Sequence, residues 1–132
     1  MNIISASTSP RPEIVVDFDV EDGLLTVSLK NVGGSSAYLV RTSFDKPFHG
    51  LGGEKCISTM RVFREVSFMP PGKEFIQLVD SIGAYFRRRE PSRITATISY
   101  EDREGHKFKD VISHDLRIYR DLGFTSKPLR SE

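Results

Sequence analysis

Two runs in which every second side chain is apolar flank the dipeptide Asp22-Gly23. Ile14, Val16, Phe18 and Val20 alternate with Val15, Asp17 and Asp19, and Leu25, Val27 and Leu29 alternate with Thr26, Ser28 and Lys30. A period of two belongs to a strand with one face buried, not to a helix. Asp-Gly is a preferred pair for a two-residue hairpin, because both positions tolerate positive φ. With Asp22-Gly23 as the turn, Val20 is predicted to face Leu25, Phe18 to face Val27 and Val16 to face Leu29. All three apolar pairs then fall on one face, so turn chemistry and hydrophobic pattern specify one register.

The same alternation continues along the chain. The bend Asn31-Val32-Gly33-Gly34 leads into a third strand, with Tyr38, Val40, Thr42 and Phe44 inward and Arg41 and Ser43 outward. Residues 45–59 read as a loop, marked by Pro47, Gly50, Gly52 and Gly53. Val62, Arg64, Val66 and Phe68 suggest a strand, Pro70-Pro71-Gly72 a turn, and Phe75 to Val79 a short strand. Asp80-Ser81 can cap a brief helix that places Ile82, Tyr85 and Phe86 on one face, with Pro91 ending it. Ile94, Ala96, Ile98 and Tyr100 mark a further strand. A hairpin over 101–105 leads to the last one, through Phe108, Ile112, Leu116 and Ile118. Asp110 interrupts that inward series beside Val111, which suggests a β-bulge.

Seven or so short strands with close turns and one helical insert predict an all-β fold, an antiparallel β-sandwich of immunoglobulin-like type, with a barrel as the rival. The expected organisation is a flexible segment over 1–12, the sandwich over 13–120 and a frayed tail over 121–132.

Composition narrows the function classes. The 132 residues are 38% hydrophobic and 28% charged, with a net charge of +1, which gives no global attraction to nucleic acid or anionic membrane. Cys56 is the single cysteine, so no intramolecular disulfide and no multi-thiolate metal site can form. No apolar run approaches the roughly 20 residues of a spanning helix. Met1 to Pro12 lacks the charged start and apolar run of a signal peptide, so a cytoplasmic chain without membrane insertion is expected.

Asn31-Val32-Gly33-Gly34 followed by Ala37-Tyr38 resembles the N-x-G-x-x-x-A element of bacterial and archaeal immunoglobulin-like modules, the CARDB-like cell-adhesion-related domains among them. Met69-Pro70-Pro71-Gly72-Lys73-Glu74 and Ile98-Ser99-Tyr100-Glu101-Asp102 look similar to the same kind of module, and the likeness spans about residues 13 to 119. The resemblance implies a binding or spacer role and brings no catalytic residues.

The residues themselves offer few chemical constellations. Gly50-Leu51-Gly52-Gly53-Glu54-Lys55-Cys56 has glycines and a lysine, but Glu54 breaks the phosphate-loop spacing and Cys56 replaces its hydroxyl residue. A surface loop able to meet a partner is the reading adopted. His49, His106 and His114 have no two-histidine metal spacing. His114, on the inward series, is expected to be hydrogen-bonded and partly buried. Cys56 is read as a small, mostly apolar side chain, and Asp17 and Asp19 as a solvated strand face.

Arg87, Arg88, Arg89 and Arg93, set against Glu90, concentrate a charge of +3 within seven residues, just after Tyr85 and Phe86. These six residues are the candidate partner-binding set, by stacking and phosphate contact. The competing reading ends a short helix with cations and docks the two aromatics on the sandwich. Together these features predict a non-enzymatic module with no cofactor and no metal. Its partner would be another protein or a second copy, bound through a sheet edge or the 45–59 loop. The alternative is a ligand-binding module for nucleic acid or carbohydrate, using residues 85–93.

Overall fold

The computed structural model describes residues 10–122. Strands β1 (Ile14–Glu21) and β2 (Leu24–Asn31) form the first hairpin in the predicted register, with Val20 opposite Leu25, Phe18 opposite Val27 and Val16 opposite Leu29. Asp22 (φ 53°) and Gly23 (φ 77°) both occupy the left-handed region, as a tight hairpin turn requires. All six paired residues are buried. Each fully buried aliphatic or aromatic side chain of this kind contributes about 1.5–3 kcal/mol before entropic costs.

The chain continues through β3 (Ala37–Phe44), the two-residue strands β4 (His49–Gly50) and β5 (Lys55–Cys56), a 3-10 turn (Ile57–Thr59) and α1 (Arg61–Arg64). Then follow β6 (Val66–Met69), β7 (Glu74–Ser81), α2 (Ile82–Arg87), β8 (Arg93–Glu101), β9 (Lys107–Asp115) and α3 (Ile118–Leu122). One sheet has the order β1-β2-β7 and the other β6-β3-β8-β9, with every pairing antiparallel; β4 and β5 form a separate small ribbon. The protein is an all-β sandwich with short helical insertions.

The inner faces meet in one core. An aromatic chain crosses it, with Phe18 on Phe48 (ring centroids 5.6 Å), Phe48 on Phe44 (5.1 Å) and Phe44 on Phe63 (5.0 Å), all edge to face. Ser81 caps α2 by accepting from the Ala84 N–H at 3.2 Å. His114 is half-buried as expected, with Nε2 3.0 Å from the Val16 carbonyl and its ring edge-on to Phe18.

Four local expectations are corrected. The bulge expected near Asp110 is absent, since β8 and β9 pair without a shift from Arg93/Asp115 to Glu101/Lys107. Asp110 faces inward because the Tyr100 hydroxyl donates to it. Shifts occur instead in β2–β7 at Leu25/Thr26 and in β3–β8 between Tyr38 and Arg41. In the latter, Leu39 adopts φ 52°, so Ala37 and Val40 both reach the core although they are three residues apart. Tyr38 consequently lies half-buried beside Phe68, with ring centroids 5.4 Å apart.

Val62 and Arg64 do not belong to a strand. They form α1, whose turn places Phe63 in the core, and Phe68 is left exposed. Residues 45–59 are not a loose loop, because Phe48 and Ile57 are completely buried and anchor them. The parts of the expected flexible start and frayed tail that cover 1–9 and 123–132 lie outside the described residues.

Candidate functional site

A two-sheet sandwich leaves four strand edges, and each must be paired, blocked or available to another strand. The β1 edge is blocked by side chains. The Val16 carbonyl accepts from His114 Nε2 at 3.0 Å, which fixes the proton on that nitrogen, and the Phe18 carbonyl accepts from the Tyr119 hydroxyl at 3.0 Å. The Phe18 and Val20 N–H groups donate to the Asp17 and Asp19 carboxylates at 3.0 and 2.9 Å. Asp17 and Asp19 therefore do more than solvate a face. The β6 edge is only four residues long, and β9 exposes Lys107 and Lys109, whose charges oppose stacking of another strand.

The β7 edge is built differently. Asn31 N–H donates to the Lys73 carbonyl at 3.0 Å, so strand alternation turns the Phe75 and Gln77 main chain toward β2. The main-chain groups of Glu74, Ile76 and Leu78 then face away from the sheet. Gln77 Nε2 donates to the Leu78 carbonyl at 2.8 Å, and no side chain among the described residues bonds the main chain of Glu74 or Ile76. Beyond Glu74 the outward side chains here are apolar, with Ile76 65% and Leu78 39% exposed. Beside this edge the two sheets part into a groove of about 150 Å³, lined by Val27, Leu29, Met60, Val62, Phe63 and Phe75, with Ile76 and Gln77 at its lip.

The glycine-rich segment closes the far end of β7. The Leu51 N–H donates to the Val79 carbonyl at 2.7 Å, and the Gly52 N–H to Asp80 Oδ2 at 2.9 Å. Gly50 is required here, since a Cβ would sit 2.0 Å from the Val79 oxygen. The Gly52 amide is already taken by the Asp80 carboxylate, whereas a phosphate loop would present free amides.

The structure disperses the six candidate residues of the aromatic and basic segment. Tyr85 is completely buried and its hydroxyl donates to the Pro91 carbonyl at 2.7 Å; burial pushes its phenol above the usual range. Phe86 lies beneath the Arg120 guanidinium, 4.3 Å from the ring centre. Arg88 points inward, bonding Asp80 at 2.8 Å, Glu90 at 3.5 Å and the His49 carbonyl at 3.1 Å. Arg93 lies 3.7 Å from Asp115. Arg87 and Arg89 are exposed, Arg89 with φ 60°. No continuous stacking face is formed by these six.

Arg88 also organises its neighbours. Burial raises the Asp80 carboxyl, but the Gly52 N–H, Arg88 and the Ser81 N–H outweigh it and hold the group below its ordinary value. Signals for this network are visible in retrospect, since Asp80 and Glu90 bracket Arg88 in the chain.

One cluster escaped sequence reasoning. Asp102, Glu104 and His106 bring potential ligand atoms within 4.8 Å of one another on the β8–β9 hairpin. Asp102 accepts from the Glu104 and His106 N–H groups and holds His106 Nδ1 at 2.9 Å, which raises the imidazole above its ordinary value. The atoms a metal would take are those that fold the turn.

The fold defines a class, the all-β antiparallel sandwich with short helical insertions. The chain belongs to the family described as Domain of unknown function (DUF8453), whose model matches residues 3–120. Nothing among the curated proteins and nothing among the solved structures matches it.

Proposed function

We propose that this protein is a non-enzymatic interaction module of immunoglobulin-like type that binds an extended segment of another polypeptide along β7. The observation carrying this reading is the contrast between the two edges of one sheet. Side chains occupy the β1 edge, whereas β7 offers the Glu74 and Ile76 main chain next to exposed apolar side chains and an apolar groove. Strand addition uses such a site economically: main-chain bonds supply affinity, and every second side chain of the incoming strand enters a pocket. The likeness to adhesion-type modules supports a binding role, and the single thiol of Cys56 suits a reducing, cytoplasmic setting.

Amide chemical shifts of the full chain, titrated with a short peptide alternating valine and threonine, test the reading. Changes confined to 74–78 and 60–63, abolished by Ile76→Lys and retained in Val111→Lys, are expected. Changes centred on Arg87, Arg89 and Arg93 instead would overturn it in favour of a ligand-binding surface on that segment.

A further inference from the structure

Cationic residues lie close in the chain to the residues that line the groove. Arg61 and Arg64 lie on α1, directly beside the groove residues Met60, Val62 and Phe63, and both are exposed. Neither has an ion-pair partner among the described residues, because Glu65, the acid next to them, pairs with Arg41 at 2.8 Å. Lys73 stands at the start of β7, its ammonium 5.2 Å from the Phe75 ring centre. Glu74 is the one acid on the free stretch, and Lys30 is its cross-strand neighbour. Two cations are therefore chain neighbours of residues that line the groove, and a third lies over the ring of Phe75, with little local compensation.

We infer that the groove and the β7 edge take an acidic extended segment of a different protein, with apolar side chains at alternate positions and carboxylates between or beside them. This deepens the strand-addition reading and rests on it. The incoming apolar side chains all fall on one face of the strand and meet Met60, Val62 and Phe75, while the alternate residues pass over the Ile76 and Leu78 side. Its carboxylates meet Arg61, Arg64 and Lys73 at the rim, where charge steers association and sets specificity.

A second copy of this chain fits poorly. Pairing β7 with itself is a two-fold arrangement that sets the same patch against itself, so cationic rim meets cationic rim. The single Glu74 on each side does not offset that.

The test uses the full chain and three short blocked peptides with the same alternating valines, the intervening residues being Glu, Lys or Thr. Fluorescence anisotropy at low and high salt is expected to rank them Glu over Thr over Lys. The Glu-to-Lys difference should be about tenfold and should shrink with salt. Arg61→Glu combined with Arg64→Glu, both at exposed positions, is expected to remove or reverse the ranking while circular dichroism stays unchanged. Equal affinities that are still lost in Ile76→Lys would overturn the charge selectivity and leave strand addition standing. No binding by any of the three overturns both. A dimer in sedimentation that Ile76→Lys dissolves would assign the edge to a second copy and overturn the inference.

Discussion

The side-chain amide Nδ2 of Asn31 donates to the Met69 carbonyl at 2.8 Å, and that bond ties the end of β2 in one sheet to the end of β6 in the other. Asn31 is completely buried, and its side chain is fully used. Nδ2 also donates to the Ser35 carbonyl at 2.9 Å, while Oδ1 accepts from the Gly33 and Glu13 N–H groups at 2.9 and 3.2 Å. Four bonds thus close one end of the sandwich around a single side chain. Gly33 completes the arrangement, because a Cβ there would come within 2.3 Å of the Arg11 oxygen.

Replacing Asn31 therefore leaves several buried groups without partners. Asn31→Ala is expected to lower stability by about 3 kcal/mol or more, since each buried unsatisfied group costs about 1–3 kcal/mol. Asn31→Asp should be at least as damaging at neutral pH, because a carboxylate faces the Ser35 and Met69 carbonyls with no hydrogen to offer. Urea denaturation measures both, and a loss below about 1 kcal/mol would contradict the assignment.

His114 predicts a pH dependence. Burial lowers its pKa below the ordinary 6.5, with Asp17 and the Val16 carbonyl opposing more weakly. Between the unfolded and folded values the unfolded chain binds the extra proton, so stability falls as pH drops below about 6.5. His114→Gln keeps a donor for the Val16 carbonyl and cannot titrate. The difference in melting temperature between wild type and His114→Gln is expected to change in the wild type's disfavour from pH 7.5 to pH 5. A constant difference across that window contradicts the prediction.

Arg88→Met removes the cation that Asp80 and Glu90 share and the donor to the His49 carbonyl. We expect a loss on the order of 2 kcal/mol, reduced by partial solvent access, and faster hydrogen exchange at Leu51 and Gly52. Arg88→Lys should recover less than half, because one ammonium cannot reproduce the fork of a guanidinium. Unchanged exchange at Leu51 in Arg88→Met would show that the strap is held by other contacts.

Thr42 offers a substitution expected to stabilise. Its hydroxyl is buried without a partner among the described residues, and the residue is otherwise enclosed opposite Ile98. Thr42→Val keeps the β-branched shape and removes the unsatisfied group. A gain of about 1 kcal/mol in chemical denaturation is expected, and a loss would mean that the hydroxyl has a partner in solution.

Much of the fold is legible in the sequence where the signal is local. The Asp22-Gly23 turn and the period-two pattern fix each other, and the β1–β2 register follows. The anchoring of 45–59 is not legible that way, because Phe48 and Ile57 follow no period and their burial depends on a gap between distant strands. Arg87 to Arg89 read as one patch for a similar reason. Adjacent residues leave a helix end in different directions, and Arg88 turns inward to Asp80 and Glu90, which flank it in the chain. The open edge is the least legible feature. Phe75 to Val79 reads as a strand, but whether a strand has one neighbour or two is a property of the whole sheet.

The close approach of Gly50 to Val79 gives the accessible strand a terminus as well as a location. Leu51 takes the Val79 carbonyl, so a visiting backbone can run alongside residues 74–78 and then meets a wall. At about 3.4 Å per residue the berth is about 17 Å long, enough for about five residues of a paired strand. On the strand-addition proposal, the glycine-rich strap works as a length gauge that fixes how far along β7 a guest strand can pair.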